Sequence, residues 1–145
     1  MRKYSLVLCA FFALSLTAFS CRQAEPLSPE QPVATLLSPT NGDTIPAGNV
    51  QVRIYLQNFN MVPPGSAKPN AANEGHAIYY LDANPPTTPG ESAFTENGTY
   101  VESTATQYTW TNVQPGQHTF SLQLVNNDGT PLFGPLAVRA TVNVK

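Results

Sequence analysis

The sequence predicts an all-β fold, a single sandwich of about seven antiparallel strands, and three observations carry that reading. Apolar residues alternate with polar ones instead of recurring at helical spacing, turn residues punctuate the alternating runs, and the prolines stay out of them. The clearest run is Val50, Val52, Ile54 and Leu56, interleaved with Gln51, Arg53, Tyr55 and Gln57, which gives a strand one core face and one wet face. His118, Phe120, Leu122 and Leu124 share a face opposite Thr119, Ser121 and Gln123, and Val138, Ala140, Val142 and Val144 share another. Turns are expected at Pro39–Gly42, Pro46–Gly48, Pro115-Gly116 and Asn127–Gly129. The strands are then expected over 33–38, 49–57, 76–82, 100–105, 107–112, 117–125 and 137–144, and none of the 14 prolines falls inside one.

Ahead of this domain, Met1-Arg2-Lys3 is a short positive start, and Tyr4 to Phe19 is uncharged and mostly apolar. That is the layout of an export signal over residues 1–20. The apolar stretch falls short of the ~20 residues a membrane-spanning helix needs. Ala18-Phe19-Ser20-Cys21 resembles the lipobox of bacterial lipoproteins, which implies that Cys21 is acylated and becomes the new N-terminus. Ala18 stands where that family usually has Leu, and the same residues satisfy an ordinary signal peptidase, so cleavage without a lipid stays open. Cys9 lies inside the signal and Cys21 at the cut, so no disulfide is available to the domain. Residues 21–32 place proline at every third position from Pro26 to Pro32, the composition of an extended spacer. The folded domain is expected over 33–145, exported and lipid-anchored at the cell membrane or outer membrane, facing the periplasm or the exterior.

Once Arg2 and Lys3 are removed with the signal, nine acidic side chains face five basic ones, a formal charge of −4. Arg22, Arg53, Lys68, Arg139 and Lys145 are scattered singly, whereas nucleic-acid binding needs clustered cations. Nucleic acid is excluded as a partner on that ground.

Tyr108-Thr-Trp110-Thr-Asn-Val113-Gln-Pro115-Gly116-Gln-His118-Thr-Phe120-Ser-Leu122, followed by Asn126-Asn-Asp-Gly129, resembles the strand–corner–strand segment of immunoglobulin-like and fibronectin type III domains. There a Tyr at the corner bonds back to upstream backbone, so the resemblance implies an Ig-like sandwich with His118 as a structural corner residue. It specifies fold and not activity. The chain is also similar to short exported prokaryotic domains of unknown function. Those begin with Ser-Pro-x-x-Gly and carry a Gly-His-x-His-x-x-x-Asp strand, a Gly-x-His corner and an Asp-His-x-Pro-Leu loop. The counterparts are Ser38-Pro39-Thr-Asn-Gly42, Gly75-His76-Ala-Ile78-Tyr-Tyr-Leu-Asp82, Gly116-Gln-His118 and Asp128-Gly129-Thr-Pro131-Leu132, with Ile78 and Gly129 where histidines often stand.

That leaves two histidines. The third and sixth strands of an Ig-like sandwich run antiparallel, so His76 and His118 are expected at opposite ends, ~20 Å apart. A shared metal ion needs converging donors, so neither a metal nor a cofactor is expected. Tyr108 and Trp110 alternate like core residues rather than a sugar-stacking platform. On the third strand Ala77, Tyr79 and Leu81 are expected in the core, which leaves His76, Ile78 and Tyr80 on a solvent-facing patch where substitution of His76 costs little.

Two loops, 58–75 and 83–99, exceed the usual length of a connection. The first is expected to meet His76 and the Asn126–Gly129 hairpin at one end of the sandwich. Phe59, Lys68, Glu74, His76 and Asp128 are therefore the candidate ligand contacts. No nucleophile motif, phosphate-cradling loop or metal-ligand spacing occurs, so no catalytic residue is assigned and the chain is not expected to be an enzyme. The expected function is a non-catalytic, lipid-anchored envelope or cell-surface module that recognises a protein or glycan. A periplasmic copper- or zinc-handling accessory protein is the alternative.

Overall fold

Alternation sets the first sheet. In the computed structural model, which describes residues 30–132 and 137–145, Val50, Val52 and Ile54 point inward from β3 (Gly48–Gln57) while Gln51, Arg53 and Tyr55 point out. This strand sits between β1 (Val33–Ser38) and β7 (Gln107–Val113), antiparallel to both. Residues 1–29, on which the expected export signal, Cys21 and most of the expected spacer fall, lie outside the described residues.

The facing sheet is built on β8 (Gly116–Val125), flanked by β9 (Ala137–Val144) and β5 (Glu74–Leu81). The short β2 (Thr44–Ile45) runs parallel to β9 at one edge. At the other edge β4 (Asn60–Met61) and β6 (Tyr100–Ser103) share the free side of β5. The order β1-β3-β7 against β2-β9-β8-β5 is the arrangement of an immunoglobulin-like sandwich, and the protein is an all-β sandwich. All seven expected strands are present within a residue or two, and only the two-residue β2 and β4 lack a sequence signal.

Between the sheets, Val52, Ala77, Tyr79, Phe120, Leu122 and Leu124 are fully buried, with Trp110 beside them. Tyr108 meets Trp110 edge-on at 5.1 Å and Tyr79 at 5.7 Å, so both β7 aromatics serve the core as expected.

The outer face of β5 departs from expectation. Its phase is as predicted, but Ile78 and Tyr80 are completely buried in a second, smaller core with Val125 and Ala93. Segment 82–99 causes this by lying back across the sheet instead of projecting from it. The Tyr80 hydroxyl lies 2.8 Å from Ala93 O and 3.0 Å from Gln123 Oε1, sharing its proton between two acceptors, and Gln123 Nε2 donates to Pro86 O at 2.7 Å. Burying side chains of this size contributes about 1.5–3 kcal/mol each. The prediction of a solvated patch at His76, Ile78 and Tyr80 is thereby corrected.

At the opposite end of β5, Asp82 takes φ 57° and turns the chain out of the strand. Its Oδ1 accepts from Thr119 N at 2.8 Å, and its Oδ2 lies 2.7 Å from His118 Nδ1. His118 Nε2 lies 2.9 Å from Gln114 O, four residues upstream, which is the back-bond of a corner residue. Both ring nitrogens face acceptors, so the doubly protonated ring satisfies both and a neutral ring only one. Because His76 pairs with Val125 across β5 and β8, seven residues separate the levels of the two histidines, or about 23 Å.

Removing the corner ring severs the contacts joining β5, β8 and the β7–β8 turn. His118→Ala is expected to lower stability by about 1–3 kcal/mol in urea denaturation. His118→Tyr should lose less, because a phenol can still reach the upstream carbonyl. An unchanged midpoint for His118→Ala would contradict the corner assignment.

Candidate functional site

At the Val125 end of β5 the first strand residues approach β8 so closely that Gly75 has no room for a side chain. A Cβ there would overlap the Val125 carbonyl. The next residue, His76, is therefore pressed against the sheet and is 1% exposed. Three loops gather over it and leave a cleft of about 340 Å³. Gly65 comes from the first long loop and Phe94 from the second; the hairpin supplies Asn127, Asp128 and Gly129, and the strands supply His76 and Glu102.

Phe94 forms an apolar wall. Its ring stacks on Tyr100 at 5.3 Å and 18°, and its tip sits so near Gly129, itself at φ 79°, that a side chain at Gly129 would collide with it.

Much of the polar wall is incompletely paired. His76 Nε2 is 3.0 Å from Glu102 Oε1 but out of line for a proper hydrogen bond, and Nδ1 has no partner. Asn127 Nδ2 donates to Pro69 O at 2.8 Å and to Glu74 Oε1 at 3.2 Å, which leaves its buried Oδ1 without a donor. Ser66 Oγ is also buried without a partner among the described residues, but it does not line the cleft. Trp110 Nε1 and Ser121 Oγ share that condition but lie outside the wall of the cleft. Burial pushes the His76 imidazole below its ordinary range, outweighing the pull of the Glu102 carboxylate, so the ring is held neutral.

Of the five expected contacts, four gather at this end. Lys68 lies 3.9 Å from Glu74 Oε1 and remains largely exposed. Glu74 accepts from Asn127 and, at 3.0 Å, from Asn60; these hydrogen bonds hold its carboxyl below the usual range. Asp128 accepts from the Thr130 hydroxyl at 2.7 Å and from Asn70 Nδ2 at 2.7 Å, which lowers it likewise. Both carboxylates thus fasten the first loop and the hairpin in place. Phe59 does not join them; it is half-buried and packs against the main core.

Sequence reasoning missed Glu102, Asn127 and Phe94. Glu102 enters only through the register Ile78↔Glu102, which the sequence does not print. Phe94, a lone aromatic in a Pro- and Thr-rich loop, is a signal that could have been read as a docking point.

Among the described residues no Ser, Thr or Cys lines the cleft beside His76. Among the described residues no three His, Cys, Asp or Glu side chains come together as a metal-binding group. The wall can hold a ligand through hydrogen bonds and charge. No protein-family model matches the chain, and no curated protein does. A crystal structure of an engineered protein aligns over 81% of the chain at 15% identity, with a TM-score of 0.43; the chain spans 21% of that protein's length.

Two outcomes are expected of the site's foundation. Gly75→Ala should cost more than about 3 kcal/mol or prevent folding, since backbone rather than a flexible side chain must move. His76, lowered in the folded state from 6.5, takes up its proton first in the unfolded chain, so its contribution is intact above pH 6.5 and lost as the pH falls below it. Wild type should therefore lose more stability between about pH 7.5 and 5.5 than His76→Gln. Equal losses in urea titrations would show that His76 is not held neutral.

Proposed function

We propose that this protein is a non-catalytic binding module, exported and held at the bacterial envelope by a lipid on Cys21, that engages its ligand through the cleft at His76. The observation that carries the reading is the pairing of two buried side chains, His76 and Asn127, with incomplete hydrogen bonding in the wall of one open cleft. A fold gains nothing from such groups, and each costs about 1–3 kcal/mol relative to a paired one. The Met1–Cys21 pattern supports the address. Among the described residues, the copper or zinc alternative finds no third converging donor.

Acyl chains contribute ~0.8 kcal/mol per buried methylene, so Cys21→Ser should move the protein from the detergent phase to the aqueous phase with its circular dichroism unchanged. A wild-type mass without added lipid would end the anchor proposal. For the cleft, a photo-crosslinking residue at position 94 in the full chain should form an adduct in native envelopes. The same residue at position 55, exposed on the other sheet, should not. Equal adducts at both positions, or none at 94, would count against the cleft.

A further inference from the structure

We infer that the cleft takes a cationic hydrogen-bond donor, an ammonium or guanidinium group presented by its ligand. The inference rests on the cleft being the binding site of the module, and it follows from what the wall has left to offer.

Every uncommitted polar group there accepts. Asn127 has its amide nitrogen bound to Pro69 O and Glu74 Oε1, which leaves Oδ1. With a proton on Nε2 toward Glu102, His76 presents a lone pair at Nδ1. Glu102 is partly exposed and makes no hydrogen bond through its carboxylate among the described residues, its contact with His76 Nε2 being out of line. Asp128 adds a second negative charge, though its oxygens are occupied by Thr130 and Asn70.

Among the described residues no Lys or Arg lines the cleft, and the neighbouring Lys68 lies against Glu74. A neutral ligand poor in donors would bury these acceptors unpaired, and an anion would meet two carboxylates. A cation supplies donors and offsets the charge, and such charge-assisted bonds are about twice as strong as neutral ones. Phe94 excludes water on one side and strengthens those contacts.

The test titrates the full-length, detergent-solubilised protein with Nα-acetyl-arginine methylamide and Nα-acetyl-lysine methylamide, followed by amide chemical shifts. Nα-acetyl-norleucine methylamide and N-acetylglucosamine are the uncharged probes. The cationic probes should shift His76, Phe94 and Asn127 saturably. Glu102→Gln should weaken them roughly tenfold, equivalent to about 1.4 kcal/mol, and added salt should weaken them in the wild type, which keeps the test intact if that variant misfolds. Uncharged probes acting equally, or cation binding indifferent to both salt and Glu102→Gln, would overturn the charge assignment and leave the cleft as a binding site. No shift with any probe would overturn both.

Discussion

The structure depends on covering the outer face of β5. This strand carries large apolar groups on both sides, Tyr79 toward the main core and Ile78 and Tyr80 away from it. A strand buried on one face only would leave that second set in water, so segment 82–99 roofs it, held by the Tyr80 hydroxyl and the Gln123 amide. Ala93 then enters the second core, and the neighbouring Phe94 reaches the hairpin. The cleft is the edge of that roof, so its shape follows from how the sheet is kept dry.

How much of this was legible depends on whether a property is local. Strand existence and phase were, because alternation at Val50–Leu56 and at His118–Leu124 is written in period two and prolines mark its limits. The corner at His118 was legible too, since its partner Gln114 is four residues away. Burial of His76 was not. It depends on where an 18-residue segment comes to rest, and nothing local distinguishes a loop that stands out from one that lies down. Asp82 as the second partner of His118, and Glu102 as the neighbour of His76, come from pairing across strands and are invisible for the same reason.

The two histidines show how environment divides one side chain into two roles. His118 sits at a partly exposed corner with a carboxylate and a carbonyl in line with its nitrogens, and it acts as a tie. His76 is enclosed, its carboxylate neighbour is misaligned, and its other nitrogen is unmatched. The first arrangement is what a fold selects for its own stability. The second is the kind of tension that binding relieves.

The chain enters the sandwich at the same end as the cleft. Asn73 Nδ2 donates to Glu30 O at 2.6 Å and Asn58 Nδ2 to the Glu30 carboxylate at 2.9 Å, so the first described residue is pinned to the loop that joins β3 to β5. From Cys21 to Glu30 the polypeptide spans about 30 Å at full extension. A domain tethered through Cys21 would keep the end that carries the cleft, rather than the Gly116 corner, within that distance of the bilayer. The length of the tether, beside the chemistry of the wall, would then set how much room a ligand has to reach that end.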